Sequence, residues 1–299
     1  MRNVRRIYQA NSQHWVGDGF LVQPLFSHMS DDKQTDPFLM LDYGAPMEFA
    51  PNNTGRARGV GQHPHKGFET VTIAYHGEVA HRDSTGGGGV IKEGDVQWMT
   101  AGAGIIHEEF HSDAFSERGG LFEMVQLWVN LPAKDKNTPA RYQHLVKEQI
   151  PVLELPNSAG HVRVIAGEYT GAYADEHGGA RGPAQTFTEM NVWDMVLHAG
   201  ASASLSLPET HNLSMVVLRG DVTFNGTHTA HASELVSFET QSGAVELQAG
   251  ASEVKILLLS GVPIDEPIVG YGPFVMNTAD EIRQAINDFN QGRFGAIEH

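Results

Sequence analysis

Residues 61–79 read GQHPHKGFETVTIAYHGEV, and the fold is decided by how this run is interpreted. From Phe68 onward it is rich in Val, Thr, Ile and aromatic residues and stops at Gly77-Glu78, so it reads as a strand entering a turn. Just before it stand His63 and His65, separated only by Pro64, which stiffens the backbone between them. Alternate residues of an extended segment project to one face, so two imidazoles at this spacing can grip a single ion.

The same texture extends outward in both directions. GVIKEGDVQWMTA (89–101) and FEMVQLWVNLP (122–132) are short β-prone runs in the first half; NVWDMVLHAG (191–200), LSMVVLRGDVTFNG (213–226) and VKILLLSG (254–261) follow in the second. Many short strands with little helix between them predict an all-β protein built from antiparallel sandwiches or barrels. The Pro- and charge-rich stretch 131–160 reads as the connection, which gives domains 1–135 and 136–299. Near the end, TADEIRQAINDFNQG (278–292) opens on Thr with acids in its first turn. It spaces Ile282, Ala285, Ile286 and Phe289 for one helical face, predicting a C-terminal helix against a sheet. HGEVAHRD (76–83) and RGDVTFNG (219–226) share a strand, a Gly-acid turn and a second strand, the mark of a weak internal duplication.

A second stretch completes the motif. In AGAGIIHEEFHS (101–112), His107 and Glu109 repeat the alternate spacing. If the two segments are neighbouring strands, three imidazoles and one carboxylate converge. That donor set suits iron, nickel, copper, manganese or zinc and leaves positions open for substrate. A single H-x-H is more often incidental; the pair in one strand context carries the weight. Counting from the Gly-acid turns sets Ser206 and Pro208 opposite His63 and His65, and aligning GDVQW (94–98) with ELVSF (234–238) sets Leu247 and Ala249 opposite His107 and Glu109, so the second half holds no metal.

Other residues are read more plainly. Glu69 is an ordinary strand carboxylate rather than a fifth polar group near the ion, and Glu108 points away into solvent. His111 is a rim or outer-shell donor, and His76, His81 and His144 carry no chemistry. Trp98, Met99 and Phe68 are core before they are cavity lining. The glycine run in TGGGGV (85–90) lacks the lysine and helix of a phosphate loop and is a hairpin turn.

Composition narrows the function. The 299 residues contain no cysteine, which excludes disulfides, thiolate metal sites and cysteine nucleophiles and is compatible with a reducing cytoplasm. The formal net charge of −16 disfavours direct nucleic-acid binding. No apolar run is long enough for a membrane span, and no signal-type segment follows the first residues.

HPHKGFETVTIAYHGEVAHRDSTG, GDVQWMTAGAGIIHEE and EPIVGYGPFVMNTADEIRQA resemble the pirins, a branch of the cupin superfamily, and the likeness runs from DPFLMLDYG (36–44) to the C-terminal helix. The resemblance implies a bicupin, two β-barrels with iron in the N-terminal one, and carries over His63, His65, His107 and Glu109 as ligands. It also implies quercetin 2,3-dioxygenase activity: an aromatic or enol substrate, dioxygen, and Glu109 as general base. The alternative it carries is a metal-binding regulator of a protein partner such as a transcription factor or metabolic enzyme. EYTGAYADEHGGARGPA (168–184) is longer than that pattern expects.

Overall fold

The computed structural model describes residues 1–10, 12–29, 33–170 and 179–298. The chain runs through β1 (Val4–Gln9), β2 (His14–Val16), β3 (Phe20–Ser27), β4 (Phe38–Phe49), β5 (Gly59–His65) and β6 (Phe68–His76). Then come β7 (Val79–Asp83), β8 (Gly88–Ile91), β9 (Val96–Thr100), β10 (Ile105–His111), α1 (Asp113–Arg118), β11 (Gly120–Asn130) and β12 (Arg141–Leu145). The second series is β13 (Val152–Glu154), β14 (Gly160–Ala166), β15 (Glu168–Tyr169), β16 (Ala180–Arg181), β17 (Met190–Leu197) and β18 (Ser202–Ser206). It continues with β19 (Asn212–Arg219), β20 (Val222–Phe224), β21 (His228–Ala230), β22 (Glu234–Phe238), β23 (Ala244–Ala249) and β24 (Val254–Gly261). The hairpin β25 (Val269–Tyr271) and β26 (Phe274–Met276) precedes α2 (Ala279–Asn290).

Two compact units result, and they are not cut at residue 135. One contains Asn11–Asp31, Phe38–Lys147 and Ile264–His299; the other contains Met1–Ala10, Asp32–Pro37 and Glu148–Pro263. The first ten residues join the later unit because β1 pairs with β22, and the last residues join the earlier one. The stretch read as a bare connection supplies β12 to the first unit and β13 to the second.

In the first unit a sheet of order β12-β9-β6-β11-β4-β3-β2 faces one of order β5-β10-β7-β8. The second repeats the plan as β1-β22-β19-β24-β17-β14-β13 and β18-β23-β20-β21. This is the bicupin jelly roll, although no sheet among the described residues closes hydrogen-bond to hydrogen-bond into a barrel. Inward-facing apolar residues bind each pair of sheets; Phe20, Phe49, Ala74, Val79, Ile91 and Phe122 do so in the first unit.

The predicted helix is present. Thr278 Oγ1 accepts from the Glu281 amide at 3.2 Å as N-cap, and Ile282 and Ala285 bury against Phe274, Met276 and Phe294. The glycine run turns the chain from β7 into β8, as expected of a hairpin. Of the stretch 168–184, residues 171–178 lie outside the described residues, and β15 and β16 pair on either side. No helix among the described residues is long and apolar enough to cross a membrane.

Candidate metal centre

The site is built on the four-stranded sheet of the first unit. β10 lies between β5 and β7, so His107 is cross-strand partner to His63 on one side and Asp83 on the other, while Glu109 faces His81. Gly67, the turn residue between β5 and β6, has φ +88°; a Cβ there would overlap the Val275 carbonyl oxygen, so only glycine fits.

The ligand atoms of His63, His65 and His107 lie within 4.8 Å of one another. Ring centroids are 4.2 Å apart for His63–His107 and 4.9 Å for the other two pairs. Glu109 does not join all three imidazoles: its carboxylate groups with His107 and His81, also within 4.8 Å, so His107 is the hub of two overlapping sets. His63 Nδ1–H donates to the Gly61 carbonyl at 2.8 Å, which leaves its Nε2 lone pair free. His107 is fully buried and its Nε2 meets no hydrogen-bond partner. An orphaned buried nitrogen among imidazoles costs free energy unless something is bound to it, so the residues fit a metal ion. Burial, then the neighbouring imidazoles, pushes the pKa of both His65 and His107 well below the ordinary range, and a neutral imidazole is the form that ligates.

Glu109 is held from the opposite sheet. Its Oε1 accepts from Gln97 Nε2 and from Thr72 Oγ1 (3.3 Å), and its Oε2 accepts from Gln126 Nε2 at 3.1 Å. His65 packs edge-on against Phe68 and Trp128, with centroids 5.1 and 5.3 Å away.

Several single-residue readings change. His81 is not a bystander: it is buried, its Nδ1 is 3.3 Å from His107 Nδ1, its Nε2 is 3.2 Å from Asp83 Oδ2, and its ring stacks on Tyr142. Burial works against the charge on Asp83, yet hydrogen bonds from His81 and Thr85 bring its pKa down to about 2. The signal was legible, since His81-x-Asp83 has the same alternate spacing as His63-x-His65. Glu108 does point away from the side of β10 that carries His107 and Glu109, but it is buried and pairs with Arg82 at 2.5 Å instead of lying in solvent. His111 is core, enclosed by Phe20, Phe49, Phe115 and Phe122, with Nε2–H donating to the Gly19 carbonyl at 2.9 Å. Glu69 lies on the face of β6 opposite the one that carries Thr72, away from the candidate cluster. Trp98 shares that outer side, whereas Gln97 and Met99 face inward. His76 and His144 stay apart, beside Glu93 and Asp95.

The second unit supplies an internal comparison. Gly77 and Gly220 are equivalent turn residues, and the strand registers then set Val245 opposite His107 and Leu247 opposite Glu109. Leu205 and Leu207 take the places of His63 and His65, a shift from the count along the sequence, which pointed to Ser206 and Pro208. Met215, Val236 and Leu258 replace Thr72, Gln97 and Gln126, and Phe224 replaces His81. All eight belong to one buried apolar cluster. Where the first unit has this polar cluster, the second has hydrocarbon.

A family model described as Pirin matches residues 19–129, and one described as Pirin C-terminal cupin domain matches 192–295. The chain belongs to the pirin family. A Pseudomonas aeruginosa protein provisionally named quercetin 2,3-dioxygenase is 51% identical to this pirin, over 98% of this chain and 99% of its own. The crystal structure of a quercetin 2,3-dioxygenase from Acinetobacter baumannii is 53% identical, covers all of both chains and superposes with a TM-score of 0.92. A bacterial pirin from Escherichia coli, solved in complex with nickel(II), shares the fold (TM-score 0.61) at 18% identity, over 86% of this chain and 99% of its own.

Proposed function

We propose that this pirin is a metal-dependent dioxygenase that opens a flavonol of the quercetin kind, or a related enol, at one mononuclear centre. His63, His65, His107 and Glu109 would hold the ion, with Fe(II) the first choice and nickel, copper, manganese or zinc compatible with the same donors. The observation that carries the reading is the partnerless Nε2 of buried His107 within a group of three imidazoles. The names of the Pseudomonas and Acinetobacter relatives supply the reaction class.

A bound ion would supply Lewis acidity toward an enol oxygen and a redox-active centre for dioxygen. The rest falls to the chain. Glu109 is the general base for the substrate hydroxyl: Oε2 accepts one hydrogen bond, from Gln126, and keeps capacity for a proton. Gln97 and Gln126 fix the plane of that carboxylate, so the proton meets an oriented acceptor. Phe68 and Trp128, packed on His65, present apolar surface that keeps water from a reactive carbanion-like substrate.

The test is to purify the protein, determine bound metal, and follow the near-ultraviolet band of quercetin under air. The native protein is expected to bleach the band, and Glu109→Ala to slow bleaching by roughly 10²–10⁴-fold, the range for loss of a general base. Metal retained without any bleaching would overturn the dioxygenase reading in favour of a regulatory protein whose metal shapes a protein-binding surface.

A further inference from the structure

The hydrogen bonds behind His107 have one consistent direction. Asp83 Oδ1 accepts from the Thr85 amide (2.8 Å), Thr85 Oγ1 (2.6 Å) and the Gly87 amide (3.0 Å), so the hairpin turn after β7 fixes this carboxylate as an acceptor. Its other oxygen, Oδ2, likewise accepts a hydrogen bond, from His81 Nε2–H at 3.2 Å. With one hydrogen on each ring, His81 offers its lone pair at Nδ1, and the group facing it at 3.3 Å, His107 Nδ1, carries the hydrogen. With its hydrogen at Nδ1, His107 has its lone pair at Nε2, the nitrogen without a partner. Tyr142 holds the plane of this line: its ring lies 4.7 Å from His81 at an interplanar angle of 13°.

We propose that Asp83 and His81 are positioning residues that act on a bound metal through His107, as a carboxylate–imidazole–imidazole relay fixing the tautomer of that ligand and raising its donor strength. This rests on the metal site proposed above and deepens it. Outer partners of a metal-bound histidine orient the ring and increase its basicity, and losing them weakens metal binding by roughly 10–100-fold. The second unit supports the assignment independently: where Val245 and Leu247 replace His107 and Glu109, the position of His81 is also apolar, as Phe224, and Gly226 stands at the place of Asp83. The relay and the ligands are present or absent together.

The full-length protein is titrated with Zn(II) and Fe(II) against a competing chelator, comparing wild type, Asp83→Asn and His81→Phe, with thermal melts checking that each variant folds. His81→Phe installs the residue that the second unit already accommodates. Both variants are expected to bind either metal roughly 10–100-fold more weakly, and the reduction potential of the bound iron is expected to rise, since a weaker donor stabilises the ferric state less. In the zinc-loaded wild type, long-range nitrogen–proton NMR correlations are expected to place the His107 hydrogen on Nδ1. Wild-type affinity and potential in Asp83→Asn would overturn the relay; if His81→Phe alone were impaired, His81 would be a direct ligand and the relay again overturned. Failure of the wild type to bind metal would overturn both the relay and the site beneath it, and is distinguished by that first titration.

Discussion

Glu69 illustrates how a strand carboxylate away from the chemistry still leaves a measurable trace. Burial pushes its carboxyl up to about 7, against the opposing hydrogen bond from Thr100 Oγ1 at 2.6 Å. A carboxyl whose folded pKa lies above its unfolded value binds its proton more tightly in the native state, so stability falls as pH rises from about 4.5 to 7. Glu69→Gln keeps an acceptor for Thr100 and has no proton to lose. Wild type is therefore expected to lose up to about 3 kcal/mol relative to Glu69→Gln between pH 4.5 and 8. Urea midpoints at the two pH values check this, and parallel profiles would refute it. At this scale the sequence was informative wherever spacing within one strand mattered: alternation brings His63, His65 and His107 together, whereas Glu109 gathers with His107 and His81. It was silent on Gln97, Gln126 and Thr72, because their meeting with Glu109 depends on which strand of the opposite sheet faces β10.

The helix was readable in full, because cap, acidic first turn and apolar stripe are all local signals. α2 buries Ile282 in one cluster with Ile106 and Phe274, so Ile282→Ala removes buried apolar packing. Such a truncation is expected to cost about 2–4 kcal/mol in denaturant unfolding. A cost under about 0.5 kcal/mol would mean the helix adds nothing to its unit. The edge strands were not readable. β12 and β13 hide in a Pro-rich stretch, since an edge strand has a partner on one side only and needs little apolar pattern to form. β1 was equally opaque, because its partner β22 is more than two hundred residues away.

Across the whole molecule, the duplication predicts one metal ion per chain. The apolar filling at Leu205, Leu207, Val245 and Leu247 replaces donors with aliphatic packing, and that packing stabilises the second unit. Leu247→Ala is expected to cost about 2–5 kcal/mol while leaving metal content at one per chain, whereas His107→Ala is expected to bring it close to zero. Elemental analysis beside a melting curve separates the two effects; metal lost in Leu247→Ala, with the protein still folded, would contradict the division of labour.

The ends of the chain carry one more consequence. The loop that follows His65 is tied to residues far downstream: the Lys66 amide donates to the Pro273 carbonyl, and the Val275 amide donates back to Lys66. Lys136 Nζ donates to both the Gly67 and Val275 carbonyls. On the ribosome, the wall bearing two imidazoles therefore lacks this brace for most of elongation. If these imidazoles take a metal, the completed brace is expected to precede stable insertion, and a nascent chain stalled before residue 273 would present those histidines unbraced to the cell's metal pool.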